Sequence, residues 1–300
     1  MPTSSHSLRA VAAFAALAAL TAASLTACGG GGGGGDVTTP PGGTPAPAPT
    51  PAPAPSPSPS PSPSPSPAPS PAPAPAPTPA PAPSSSSSAA CYNAADFNEG
   101  TVLVEEGLTK MDGQPDLTTT STTTTGGRQD FAGAKPVMFT PQSTGSLGNN
   151  RLFRDRTASS ELAYGVVSDT STQVLTQVYD PPVSTPLDMQ PGQTVQRDHK
   201  NQFTIVPKAG SAPSSYSETV EDQFTYVGRE SLQTAMGTFN VCKFNNDFVT
   251  VGPTGRAVAN FQTWVVAEGP YQGRTIKIAT SSSNGRPSTY EVTKITYTPK

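Results

Sequence analysis

Alternation of apolar and polar residues dominates the chain beyond residue 91. Tyr216, Val220, Phe224 and Tyr226 fall on one side of a single extended stretch, with Ser217, Thr219, Glu221 and Gln223 on the other. A period of two is the signature of a strand with one face buried. Leu162, Tyr164 and Val166 alternate in the same way, and Asp169-Thr170-Ser171 turns the chain into Val174, Thr176 and Val178. Pro181-Pro182 is expected to end that strand, since proline donates no ladder hydrogen bond. From Phe239 to Val251 the pattern changes side: Phe239 and Val241 face one way, Phe244 and Phe248 the other. Such a switch predicts a β-bulge.

Shorter signals fill the rest. Leu117 to Thr125 is nearly all threonine, a strand-favouring residue, and Gly126-Gly127 is expected to turn it back through Arg128 and Phe131. Gly252-Pro253-Thr254-Gly255 leads into Val258–Val266, which holds the sole tryptophan, Trp264. Gly269-Pro270 and Asn284-Gly285 punctuate the last strands, Thr275–Thr280 and Ser288–Thr298. No segment after residue 91 carries a helical stripe. The expectation is an all-β domain, an antiparallel meander forming a curved sheet or half-barrel. Gly127-Arg128 before Phe131 echoes Gly228-Arg229 before Leu232, which suggests two related halves.

The first 90 residues follow no such pattern. Arg9 precedes an almost unbroken apolar run, Ala10 to Ala23, whose length of about 14 residues matches a secretory signal rather than a membrane span. Gly29 to Gly35 has no side chains, and Pro40 to Pro83 alternates proline with Ala, Ser or Thr. Proline holds itself and its neighbour extended, so roughly 44 residues at ~3.1 Å each would reach about 140 Å. Ser84 to Ser88 reads as a second flexible joint. These features divide the chain into a signal peptide (1–27), a Gly-rich and Pro-rich tether (28–90) and a β domain (91–300).

Between signal and tether stands Leu25-Thr26-Ala27-Cys28. It resembles the lipobox of bacterial lipoproteins, whose precursor is cut before the cysteine and acylated on it. The resemblance implies lipidation at Cys28, anchorage in the cell envelope and, with Gly29 rather than Asp after the cysteine, the outer membrane. With Cys28 so occupied, Cys91 and Cys242 remain in an oxidising compartment, as a disulfide or as two thiols.

Composition excludes more than it assigns. A net charge of -3 with scattered basic residues gives no nucleic-acid footprint. After signal removal His199 is the one histidine; beside Asp198 it invites a Ser-His-Asp triad, but adjacency supplies no triad geometry, and a solvated loop histidine is the expectation. Glu105-Glu106 and Glu221-Asp222 read as strand-edge solubility, and Arg229-Glu230 as a local ion pair. No metal or cofactor motif stands out.

Pro186-Leu187-Asp188-Met189-Gln190-Pro191-Gly192-Gln193-Thr194, then Gly228-Arg229-Glu230, Gly237-Thr238-Phe239, Cys242 and Trp264, resemble a pattern of uncharacterised β-sheet domains in bacterial envelope proteins. That resemblance implies a curved antiparallel sheet similar to the half-barrels of the LolA/LolB carriers. It carries no activity, since the matched residues are turn and packing residues. The expected function is therefore non-enzymatic: a tethered domain that binds a hydrophobic ligand or an envelope component. The alternatives are assembly with a protein partner through a sheet edge, and an enzyme of unknown class.

Overall fold

A computed structural model describes residues 87–146, 148–282 and 285–300. The signal peptide, Cys28, most of the tether and the Asn284 half of the Asn284-Gly285 turn lie outside the described residues. Thirteen strands follow one another: β1 (Val102–Met111), β2 (Leu117–Arg128), β3 (Val137–Ser143), β4 (Gly148–Arg156), β5 (Ser160–Thr170), β6 (Gln173–Pro186), β7 (Thr194–Gln196), β8 (His199–Pro207), β9 (Ser214–Thr234), β10 (Gly237–Gly252), β11 (Gly255–Val266), β12 (Thr275–Ser282) and β13 (Gly285–Thr298). The described helical residues are two short 3₁₀ turns, Ser88–Cys91 and Ala94–Phe97.

The domain is all-β and antiparallel, but it closes instead of stopping at a half-barrel. Pairing runs from β10 through β11, β12, β13, β1, β2, β3, β4, β5, β6 and β8 to β9, and β9 pairs with β10 again. Closure follows from β9, whose 21 residues take β8 and β7 on one side and β10 on the other. Outward residues on β8 and β9, among them Lys200, Gln202, Thr219, Glu221 and Gln223, are exposed and polar. A barrel in lipid carries an apolar outer band instead; this part of the wall is polar outside.

Bulges bend the wall. The expected one lies between Lys243 and Phe244 opposite β9, and it turns Phe244 and Phe248 inward. Gly126-Gly127 makes no turn: β2 runs through it to Arg128 with a break in register, and the chain reverses later at Phe131–Ala134. Pro181-Pro182 does not end β6 either. Tyr179, Asp180, Pro181 and Pro182 bow out of the β5 pairing, which resumes at Val183. Opposite them sits Tyr164 alone, so the prolines occupy the unpaired arc. Both Gly-Arg echoes fall where the register shifts.

A twelve-stranded ring is wider than eight strands, whose side chains alone fill the bore. Part of the additional space is taken by residues 87–101, which turn Cys91, Tyr92 and Phe97 toward the interior. Ser88 is fully buried: its hydroxyl donates to the Leu187 carbonyl and accepts from the Met189 N–H, both at 2.9 Å. Folded chain thus begins ahead of Cys91, inside the stretch whose serines read as a joint. Cys91 and Cys242 are joined by a disulfide, with their Cα atoms 6.2 Å apart. Further on, Thr101 and Thr125 donate their hydroxyls to the carbonyls of Ala95 and Asp96. This plug supplies the inner covering that the sequence offers no helix to provide.

The β9–β10 hairpin runs on past β11. Its tip reaches β13, where the Ala235 N–H donates to Glu291. Leu232, Met236 and Phe239 pack there with Val241, Trp264, Val266 and Ile276.

Candidate functional site

Two chambers lie inside the barrel, and Cys91, Tyr92, Arg154, Glu161 and Val265 line both. The plug and the Arg154–Glu161 ion pair (2.6 Å) therefore form the partition. Inward strand positions and the plug line both chambers, and the period-two pattern of β9 and β10 places Phe224, Phe244 and Phe248 in the first.

The first chamber, about 90 Å³, is lined largely by apolar groups, among them the rings of Tyr92, Tyr179, Phe224, Phe244 and Phe248. Phe224 and Phe244 stack with centroids 5.2 Å apart. Besides the Arg154–Glu161 pair, a second charged corner interrupts this lining. Between β7 and β8 the chain steps past β9 at Asp222, and Arg197 enters the barrel from that step. Its backbone N–H donates to the Asp222 carbonyl, and Asp198 accepts the Asp222 N–H, so side chain and main chain together replace the missing ladder. The Arg197 guanidinium meets the Asp222 carboxylate at 3.0 Å, donates to Thr185 and lies 4.1 Å over the Phe224 ring. Arg197 and Asp222 side chains are 5% and 1% exposed. Burial pushes the Asp222 carboxyl upward, and Arg197 opposes it. Two atoms of the corner have no hydrogen-bond partner, Arg197 Nε and the Asn246 amide oxygen. Asn246 is directly opposite Phe224 across the β9–β10 ladder.

The second chamber, about 150 Å³, is more polar. Glu105 lines it with Asp96, Arg274 and the Thr123 and Thr125 hydroxyls. Arg274 pairs with Asp96, which also accepts from the Tyr297 hydroxyl at 2.8 Å. Burial raises the Glu105 carboxyl to about 7, Arg274 pulling it back and Asp96 adding to the rise. Tyr290 covers Gly107 on the same strand so closely that a β-carbon there would lie 2.2 Å from its ring.

Several sequence expectations change here. His199 is buried on β8, not solvated on a loop: its Nδ1 is 2.9 Å from the Arg197 carbonyl, and its ring meets Tyr179 edge-on. A carbonyl only accepts, so Nδ1 carries the proton. Asp198 meanwhile is engaged by the Asp222 N–H and the Gln196 amide; the two neighbours serve separate contacts, not a triad. Of each acidic pair only one member serves solubility. Glu106 stays outside with Lys294 and Glu221 is exposed, while Glu105 and Asp222 turn inward. Alternation signals this; it places Asp222 in the Val220–Phe224–Tyr226 series. Arg229 and Glu230 likewise part: Glu230 accepts from the Trp264 indole N–H across the sheet. Among the described residues no cluster of His, Cys, Asp and Glu could hold a metal ion.

The wall is thin beside the second chamber. Three residue pairs, Val137 with Arg154 through Phe139 with Leu152, join β3 to β4. Beyond Phe139 each strand keeps its other neighbour, β2 or β5. Pro141, which lines the chamber, stands on this part of β3.

No family model and no curated protein matches the chain. Two solved structures resemble it distantly. One, from Bacteroides fragilis NCTC 9343, is named as an exported protein with a YmcC-like fold; identity is 13%, TM-score 0.39, and the match covers 66% of this chain and 96% of that one. The other, from Parabacteroides distasonis ATCC 8503, is named as a lipoprotein, with 9% identity, TM-score 0.33, and coverage of 67% and 96%. Likenesses this distant assign the chain neither family nor activity.

Proposed function

We propose that the chain is a lipid-anchored protein of the bacterial cell envelope, acylated at Cys28 and held at the outer membrane, whose barrel is a non-enzymatic binding module for a hydrophobic ligand. The anchor rests on the short apolar run and the Leu25-Thr26-Ala27-Cys28 site. Binding rests on one observation above all: the barrel holds a largely apolar chamber into which the buried Arg197–Asp222 pair is set. A largely apolar pocket with a few convergent polar groups is the usual form of a ligand site. Catalysis is not proposed, because Arg154 and Glu161, and Arg197 and Asp222, are committed to ion pairs with each other. The thin β3–β4 seam supports a second reading, in which an extended partner segment adds to the wall there. Pro141 blunts that edge by withholding an N–H, so we place it second.

Metabolic palmitate labelling tests the anchor: wild type should incorporate label, and Cys28→Ser should not. Equal labelling of both removes the anchor assignment. Native mass spectrometry of protein purified without detergent then separates a bound small molecule from a protein partner.

A further inference from the structure

We infer that the second chamber is a site for a small organic cation, a primary ammonium on a compact apolar body, held by the Glu105 carboxylate. This goes beyond the hydrophobic-ligand reading, which concerns the first chamber. Charge comes first. Three carboxylates line the second chamber, Asp96, Glu105 and Glu161, against two guanidinium groups, Arg154 and Arg274. Arg274 pairs with Asp96 and Arg154 with Glu161, so one negative group is left over. That group is Glu105, which is 8% exposed. Among the described residues no ion pair or hydrogen bond reaches its carboxylate; Arg274 attracts it only from beyond contact, and Asp96 repels it. Nor is the carboxylate sealed in: unlike the unpartnered atoms of Arg197 and Asn246, its oxygens keep accessible surface on the inner face of β1. A buried carboxylate without a partner is costly, and a ligand that brings the missing positive charge relieves that cost.

Size and lining narrow the class. A cavity of about 150 Å³ holds benzene, and this chamber has a volume of about 150 Å³. Phe97, Leu103, Phe139, Pro141 and Leu152 form its apolar side, which suits a hydrocarbon body. A divalent metal ion would need about six oxygen ligands, and one uncommitted carboxylate does not supply them. A second acceptor stands near Glu105. Thr123 lies on the same face of β2, two residues along from Ser121, the ladder partner of Glu105. Such diagonal neighbours are about 7–8 Å apart, so a donor seated between the two side chains is within reach of both. An ammonium carries three N–H groups and can serve carboxylate and hydroxyl together.

The full-length chain carrying Cys28→Ser, exported and isotope-labelled, is titrated at pH 8 with cyclopentylammonium, cyclopentanol and ammonium chloride while backbone shifts are followed. Cyclopentylammonium should move residues 103–105, 121–125, 139–141 and 273–275. Cyclopentanol keeps the ring and a donor but lacks the charge, and should bind about tenfold more weakly. The bare ammonium ion keeps the charge but lacks the body. It should also bind about tenfold more weakly, since each buried methylene adds roughly fourfold. Glu105→Gln should abolish binding of the ring amine. In the wild type its affinity should fall about tenfold from pH 8 to pH 6, because the Glu105 carboxyl titrates at about 7 while the amine, like lysine, stays charged. That pH dependence carries the test if the variant does not fold. Equal affinity for cyclopentanol and cyclopentylammonium, binding that survives Glu105→Gln, or an affinity unchanged between pH 8 and pH 6 overturns the assignment. An ammonium ion that binds as tightly as the ring amine would refute the organic class. Shifts confined to residues 244–248 would put the amine in the first chamber and overturn the site, and so would the absence of any shift.

Discussion

Glu105 and Glu106 are neighbours in β1 with opposite fates, and the difference makes stability depend on pH. Glu106 sits outside with Lys294, while burial raises Glu105 from 4.5 to about 7. A carboxyl raised in the folded state favours folding most below its unfolded value. Between about 4.5 and 7 the unfolded chain gives up this proton first, so each rise in pH favours unfolding; above about 7 the loss is complete. The full effect is on the order of 3 kcal/mol. Glu105→Gln cannot ionise, so it should melt higher than wild type at pH 8 and close to it at pH 5. A shift that is the same at both pH values would show that Glu105 does not titrate in this range.

Among the elements, those set by alternation were legible in the sequence and those set by contact were not. The faces of β9 and the bulge in β10 follow from the spacing of Tyr216, Val220, Phe224, Phe244 and Phe248. The charged corner escaped notice because Asp222 carries the same spacing but the wrong polarity for an inside position. It is held there by Arg197, whose place in a two-residue step between β7 and β8 has no local signal. Closure was equally hidden, since the β9–β10 hairpin is local but the β1–β13 pairing joins the ends of the domain. Ser88 was concealed by its composition, one serine among five, and its burial alters the boundary at which the chain can be cut. Protein beginning at residue 84 should melt with the intact chain. Protein beginning at Cys91 loses the Ser88 hydroxyl and strands the Leu187 carbonyl and Met189 N–H, at about 1–3 kcal/mol for each group left unpaired. Thermal melts of the two truncations check this; coincident curves would mean that residues 87–90 contribute nothing.

For the molecule as a whole, ring and plug depend on each other. The wall alone would enclose an unfilled bore, and the plug alone has no core. The Pro186–Thr194 segment after β6 belongs to this joint, since Leu187 and Met189 receive Ser88, and the Gly192 N–H donates to the Tyr226 carbonyl of β9. The disulfide spans 151 residues of sequence, and chain entropy sets its contribution at no more than about 5 kcal/mol.

That disulfide also decides how the protein answers a pull. On the anchored reading proposed above, load enters through the N-terminal side and reaches the described chain at Ser88. Hydrogen bonds along the plug would yield one after another, as a zip does. The bond to Cys242 instead hands the load to the middle of β10, where β9 and β11 are paired on either side and must shear together. In single-molecule pulling through the N-terminal segment, the oxidised protein should show one high-force rupture. Reduced protein, or Cys91→Ala, should first release the plug at low force, a gain of about 50 Å for residues 87–101 drawn straight. If the early step is absent after reduction, the plug is held by its packing and not by its cysteine.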